Sequence, residues 1–249
     1  MIKCDLHTHT VFCDGKNTPE EMVLSAIEKG LDTIGICAHC YTAFTDAYCI
    51  SLDGEKEFKK TVNQLKIKYA DKIKVLLGIE QDVLATYPAS GYDYIIGSSH
   101  FFEVDGKNID VDHTEEKFIN AVNTYFNGDY YSAVEHYYEN VKRIIKVTGA
   151  DIIAHVDLIT KFNEGDKLFS TSHPRYINAF KSAIDELIKA KKPFEINTGA
   201  ISRGYRSEPY PQKQICDYIK SLGGKLILSS DSHSAKNIAF EFDKWQKLL

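Results

Sequence analysis

Several things are missing from this chain, and each absence closes off a class of function. No run approaches the roughly 18 apolar residues that a bilayer span needs, so a membrane-spanning protein is not expected. No basic block occurs, and the formal net charge is −5, from 30 Lys and Arg against 35 Asp and Glu. That balance argues against a nucleic-acid partner, which asks for a positive stripe. No GxGxxG follows the first apolar segment and no GxxxxGKS or GxxxxGKT occurs anywhere, which leaves dinucleotide and P-loop nucleotide sites unsupported. No Gly/Ser/Pro-rich linker or low-complexity run divides the chain, so residues 1–249 are expected to form a single domain. The opening MIKCDLH lacks the apolar run of a secretory signal, and the six cysteines fall at irregular spacings. Both point to reduced thiols and a cytoplasmic location.

What is present is ordinary in bulk and unusual in arrangement. Hydrophobic residues make up 43% and charged residues 26%, enough to bury a full core. Seven β-branched-rich segments read as buried strands: IKCDLHT, DTIGICAH, KVLLGIEQD, YDYIIGSSH, ADIIAHVD, PFEINTG and KLILSSDSH. Amphipathic stretches lie between most of them. The first helix has Thr18 as N-cap, Pro19 at its first position, Glu20 and Glu21 in its first turn and Gly30 as terminator. Others are expected near Glu55–Asp71, Asp129–Thr148, His173–Lys191 and Pro211–Leu222. Strands alternating with helices of this length make a parallel α/β architecture, and seven of them suit a barrel at least as well as an open sheet.

The strand ends carry the chemistry. Segment one ends in His7 and His9, two in His39, three in Glu80, four in His100, five in His155, and seven in Asp231 and His233. In a β/α barrel those ends open on one face, where active sites are built. Positions i and i+2 of a strand share a side, so His7 and His9 can grip one ion, and Asp231 and His233 repeat the device. With Asp14 after a short turn, the set holds six histidines, two aspartates and one glutamate. These are N/O ligands of the kind Zn²⁺, Mn²⁺ or Fe²⁺ accept, and they are too many for one ion. A lone histidine at a strand end is usually a hydrogen-bonded structural residue; six of nine at such ends is not explained that way. His113, His136 and His173 fail the test, because they fall in expected loops or helices. The cysteines of CAHC lack a second pair at zinc-finger spacing, so Cys37 and Cys40 read as packing thiols.

The order of DLHTHT, CAHC, GIE, SSH, AHVD and SSDSH resembles the PHP (polymerase and histidinol phosphatase) metal-dependent phosphoesterases over nearly the whole chain. The resemblance implies a distorted seven-stranded, TIM-like (β/α)7 barrel with its site at the C-terminal strand ends and two or three divalent transition-metal ions. Carried over, His7, His9, Glu80 and Asp231 would hold one ion, and Glu80 with His100 and His155 a second. Asp14, His39 and His233 would hold the third; other members often carry histidine at position 14. The segment FEINTGAISRGYRSEPYP is similar to the histidinol-phosphatase branch, which implies L-histidinol phosphate as substrate. The rival expectations are a related phosphoesterase acting on another small ester or nucleotide, and a non-catalytic metal-binding regulator.

Metal-activated water would attack phosphorus, and a phosphate dianion then needs cationic donors facing the metals. Arg203 is the first candidate, because a guanidinium binds phosphate through two N–H groups, and Lys161 is the second. Asp231 and His233 are candidate proton donors to the leaving alkoxide, although ligation would occupy both. Asp5, Asp82 and Asp157 lie where a carboxylate can orient a neighbouring imidazole. Asn197 and Ser230 stand at strand ends, and Arg206 reads as a solvated loop residue.

Overall fold

The computed structural model describes residues 3–45 and 47–249. Its frame is one sheet of seven parallel strands: β1 (Cys4–Asp5), β2 (Thr33–Ile36), β3 (Lys74–Asp82), β4 (Tyr94–Ser98), then β7 (Ile152–Ile153), β8 (Phe194–Asn197) and β9 (Leu226–Ser229) in spatial succession. Between β4 and β7 in sequence comes an antiparallel hairpin, β5 (Phe101–Val104) and β6 (Lys107–Asp110). The sheet curls until its edges meet: Thr8 and Ser232 form a parallel bridge, with Ser232 N–H on the His7 carbonyl and His9 N–H on the Ser232 carbonyl. The fold is therefore the expected seven-stranded (β/α) barrel.

One tyrosine occupies part of the barrel interior. Tyr94 donates its hydroxyl to the Leu6 carbonyl and packs with Cys37, Ile96, Ile152 and Ala154. Gly35 and Gly78 make room for it: a Cβ at either position would fall within 2.6 Å of the Tyr94 hydroxyl. A larger residue at either point would need the barrel to open, because interiors pack at crystal-like density.

The helices cover the outside: α1 (Pro19–Glu28), α2 (Leu52–Lys68), α3 (Glu115–Phe126), α4 (Tyr130–Val141), α5 (Ile144–Thr148), α6 (Pro174–Leu187), α7 (Gly199–Ser202), α8 (Lys213–Ser221) and α9 (Phe242–Trp245). Helix α1 starts as the sequence requires, with a reciprocal capping box between Thr18 and Glu21. The expected 129–148 helix is broken at 142–143, where Arg143 N–H bonds back three residues to the Asn140 carbonyl and ends the i→i−4 ladder. Residues 101–126 add three elements, the two strands of the hairpin and α3, the last legible in its Thr114 cap and in Phe118, Val122 and Phe126 at four-residue spacing. The hairpin turns at Asp105 and Gly106, both with positive φ, 49° and 69°. That Asp-Gly pair is the strongest short-range hairpin signal a sequence offers. Among the described residues, no helix is long and apolar enough to cross a membrane.

Candidate metal centre

All nine strand-end residues converge on the C-terminal mouth of the barrel. Glu80, 1% exposed, is the hub. Its Oε1 lies 3.0 Å from His155 Nε2 and 3.3 Å from His100 Nε2. Its Oε2 lies 2.9 Å from His39 Nδ1, 3.2 Å from His7 Nε2 and 3.4 Å from His9 Nε2. Asp231 Oδ1 reaches His9 Nε2 at 3.3 Å and His7 Nε2 at 3.7 Å. Asp14 closes the far side, 3.5 Å from His39 Nε2 and 3.1 Å from His233 Nε2.

These contacts fit metal ligation better than a hydrogen-bonded polar cluster. Glu80 Oε2 is buried and makes no hydrogen bond of acceptable geometry, although three imidazole nitrogens crowd it. His7 Nε2 and His9 Nε2 face each other at 3.0 Å, a spacing at which one ring can donate to the other or both lone pairs can meet one cation. Four ligands at about 2.0–2.1 Å around a tetrahedral ion stand roughly 3.3 Å apart, the spacing that recurs here. Three overlapping groups bring ligand-type atoms within 4.8 Å of one another: His9, Asp14, His39 and His233; His7, His9 and Glu80; His39, Glu80 and His100. His39 and His9 each belong to two groups, so the three sets share more residues than the motif-by-motif assignment divides among them.

Mutual electrostatics follow from this crowding. Burial opposes ionisation of Glu80, yet His100, His7 and His39 hold its carboxyl well below the usual range. Burial likewise works against Asp231, and Arg203 with His7 overcomes it. His7, despite burial, is pushed well above the ordinary imidazole value by Glu195, Glu80 and Asp231. His9 moves the other way, to about 4, through burial and the charges of His39 and His233.

Among the proposed orienting carboxylates, Asp82 alone touches an imidazole: its Oδ2 lies 3.2 Å from His100 Nδ1 and accepts the His100 main-chain N–H at 2.7 Å. Asp5 does not. Its oxygens are taken by Ser230 N–H and Oγ and by Ala239 N–H, which pins β9 and the C-terminal segment to β1. Asp157 accepts the Gln212 N–H, with burial and Arg206 setting its charge, and makes no imidazole contact. The residue that reasoning from strand ends missed is Glu195, in the middle of β8. Its Oε1 sits 2.6 Å from His7 Nδ1 and accepts Ser229 Oγ, and Oε2 takes Asn197 Nδ2 and the His155 N–H. A charge inside the wholly buried segment FEIN was the available signal, since such a charge requires a partner.

Arg203 reaches the cluster from the end of α7, donating to the Asp231 carbonyl at 2.9 Å and to Asp231 Oδ2 at 3.0 Å, and lying 2.9 Å from His233 Nδ1. Gly199 permits this: a Cβ there would stand 2.9 Å from both Arg203 Nη2 and Asp231 Oδ2. Asp231 itself carries a φ of 47°, a conformation that costs an L-residue energy and is held by the Thr8–Ser232 bridge beside it. Lys161 lines the cavity above the cluster, its Nζ on the Asp112 carbonyl at 2.6 Å. Arg206 is not solvated. Its side chain is 6% exposed, held by Thr160 and Glu164 below the Tyr210 ring. Asn197 and Ser230 spend their side chains on Glu195 and Asp5 and do not reach the mouth. His113 does reach it, as part of the cavity wall. His136 packs between Phe102 and Phe126, and His173 caps α6. Cys37 and Cys40, both past the end of β2, are buried in separate apolar clusters.

A parallel β/α barrel whose strand ends hold clustered imidazoles and carboxylates defines the general class, a barrel enzyme scaffold with a site suited to divalent metal ions. The PHP domain family matches residues 5–199, and the chain belongs to that family. It is 26% identical over its full length to the histidinol-phosphatase of Lactococcus lactis, covering 91% of that protein. In structure it resembles a Listeria monocytogenes protein put forward as a histidinol phosphatase, with a TM-score of 0.84, 24% identity and coverage of 98% and 100% of the two chains. It also resembles the Lactococcus lactis histidinol phosphate phosphatase solved with zinc, L-histidinol and phosphate, with a TM-score of 0.73, 24% identity and coverage of 99% and 92%.

Proposed function

We propose that the chain is a single-domain, metal-dependent phosphoric monoester hydrolase that converts L-histidinol phosphate to L-histidinol and phosphate. The observation that carries this reading is the crowding of three imidazole nitrogens around the unbonded Glu80 Oε2, with a guanidinium, Arg203, at the edge of the same cluster. Relatives that cover the chain from end to end and bear the histidinol-phosphatase name support the choice of substrate. Six cysteines that are all free thiols support a cytoplasmic setting.

His7, His9, Glu80 and Asp231 would hold one divalent transition ion, Glu80, His100 and His155 a second, and Asp14, His39 and His233 a third, with zinc, manganese or iron as candidates. Bound there, such ions supply Lewis-acid activation of water and neutralise charge on the phosphoryl group. The chain's own side chains do the rest. Arg203 presents N–H groups to phosphate oxygens at the rim, and Lys161 adds a second cation in the same cavity of about 320 Å³. Burial favours a neutral Asp231, but Arg203 keeps it ionised, so it is a proton acceptor at neutral pH. His233, a ligand through the Nε2 that faces Asp14, has only Nδ1 left, and that nitrogen lies against Arg203 and the Asp231 carbonyl. Neither residue therefore holds a proton for the leaving alkoxide while it ligates. Glu195 and Asp82 fix the outer nitrogens of His7 and His100, which sets the direction of their inner ones.

The test is phosphate release from L-histidinol phosphate by metal-loaded protein, set against sugar phosphates and nucleoside monophosphates, with metal analysis in parallel. More than one transition-metal equivalent per chain and fastest turnover of L-histidinol phosphate are expected. A single equivalent overturns the shared cluster, and faster turnover of another ester overturns the substrate.

A further inference from the structure

The two phosphate-facing cations stand on different connecting segments. Arg203 follows α7, beyond β8, and Lys161 follows a single 3-10 turn (Leu158–Thr160) beyond β7. Neither segment by itself sets the distance between the two charges, and binding of a dianion depends on that distance. Arg206, three residues past Arg203, joins the segments. Its Nη1 donates to the Thr160 carbonyl at 2.8 Å and to the Thr160 hydroxyl, on the residue just before Lys161. Its Nε lies 3.1 Å from Glu164 Oε2, and Ser207 donates its N–H, at 3.3 Å, and its hydroxyl to Glu164 Oε1. Between the two arginines, the Tyr205 ring centre stands 4.7 Å from Lys161 Nζ.

Closing the loop does not require this side chain. The ends of the loop are fixed independently, because Asn197 and Tyr210 exchange N–H···O bonds at 2.6 and 3.0 Å. What Arg206 adds is the placement of the middle of the loop against the Lys161 turn. Burying a guanidinium destabilises a fold unless its N–H groups are matched, and Arg206 matches them on the neighbouring segment instead of in solvent. Of this stretch, Arg203 and Tyr205 line the cavity and Arg206 does not.

We propose that Arg206 is a positioning residue: it clasps the Arg203 loop to the turn bearing Lys161 and so sets the spacing at which the two cations meet a phosphate dianion. The inference rests on the phosphomonoesterase reading above and adds to it the residue that keeps the anion side in register. To reach a phosphate, Lys161 must leave the Asp112 main-chain oxygen. Once it does, the bonds from Arg206 to Thr160 hold the main chain beside it in place against the Arg203 loop. The competing role for Arg206 is that of a countercharge to the buried Asp157, whose carboxylate its charge favours.

The experiment measures, in metal-loaded protein, KM and kcat for the ester turned over fastest, the inhibition constant of inorganic phosphate, and metal content. Inorganic phosphate carries no alcohol, so its constant reports the anion side alone. Arg206→Met should raise KM and the phosphate constant together, by about fivefold to tenfold, with kcat and metal content held within about twofold. Combined with Lys161→Ala, the two losses should fall well short of multiplying, because Arg206 acts partly through that ammonium. Thr160→Val leaves the Arg206 charge beside Asp157 but removes the hydroxyl that Arg206 bonds. It should raise the same two constants about two- to threefold, and it carries the test where Arg206→Met fails to fold. Losses that multiply, or constants unchanged in Thr160→Val, reduce Arg206 to a countercharge and overturn the inference. So does a fall in metal content that accounts for the loss. A metal-loaded wild type that hydrolyses no phosphate monoester overturns the phosphomonoesterase reading instead and takes this inference with it.

Discussion

The floor and the wall of the cavity are made from different kinds of backbone. Below, His7, His9, Glu80 and Asp231 stand at strand ends, almost wholly buried and tied into parallel pairing on both sides. Around them, Tyr48, Asp112, Lys161 and Tyr205 come from connecting segments, and all four are at least partly open to solvent. A strand end has few ways to move, so its side chains hold atoms at ligand spacing before any ligand arrives. A connecting segment fixes only what its local bonds fix. The floor is therefore suited to chemistry that tolerates no displacement, and the wall to choosing among substrates.

The sharpest way to break that division is at the hub. Glu80→Ala removes the oxygens around which five imidazoles are arranged. Metal content should drop below one equivalent per chain, and hydrolysis should fall by about a thousandfold or more, as metal-assisted catalysis requires. Thermal melting of the metal-free protein separates this loss from unfolding. A variant that keeps its metals and a tenth of its activity would show that the floor does not depend on Glu80.

Glu195 tests whether the floor extends below the residues that face the cavity. Glu195→Gln keeps the shape but removes the charge against His7 Nδ1. Partners of this kind cost about 10–100-fold in metal affinity or activity when changed. Titration with a metallochromic competitor should show that weakening, and an unchanged affinity would reduce Glu195 to packing. KM for the ester should stay constant, since no part of Glu195 reaches the wall.

Protons give a third, smaller handle. Burial resists it, but facing carboxylates raise His39 and bring His7 and His100 well above the ordinary imidazole value. In the metal-free protein these rings keep protons at pH values where free imidazole has lost them. Metal ligation needs neutral imidazole, so binding must release those protons. Affinity should accordingly rise with pH across about 6–8, by roughly tenfold or more per unit if at least one proton leaves. Calorimetry in buffers of different ionisation enthalpy counts the protons, and a count of zero contradicts the electrostatics of the floor.

The same contrast governs what could be read from the sequence. Strand ends announce themselves, because five of the seven buried apolar runs stop at histidine and a sixth at Glu80, on a pattern set by the barrel. Depth within the strand is harder. Spacing alone placed Asp5 and Asp157 beside imidazoles, but their oxygens were already committed, to Ser230 and Ala239 in one case and Gln212 in the other. Glu195 was hidden because it lies within a strand instead of at its end. The wall was less legible: the Asp105–Gly106 hairpin turn was there to be read, but not the packing that brings Asp112 to the cavity, nor the bond from Ile50 N–H to the His39 carbonyl that closes the loop holding Tyr48. Those are tertiary closures, and no periodicity encodes them.

The smallest effect is expected where the two parts touch. Arg203 lies directly on the floor, bonded to Asp231, whereas Lys161 is held back on the wall by the Asp112 main chain. Both are cations in one cavity, but only one is seated where phosphoryl oxygens must approach the cluster. Arg203→Ala should thus raise KM for phosphate esters by about tenfold or more, in line with the loss of a charge-assisted pair. Lys161→Ala should raise it only a few-fold, because its ammonium must first leave the Asp112 oxygens and the Tyr205 ring, 4.7 Å from its nitrogen. Steady-state kinetics on the two variants measure the difference directly. Equal effects would mean that Lys161 swings onto the phosphate at little cost, and that the wall takes part in chemistry as well as in choice.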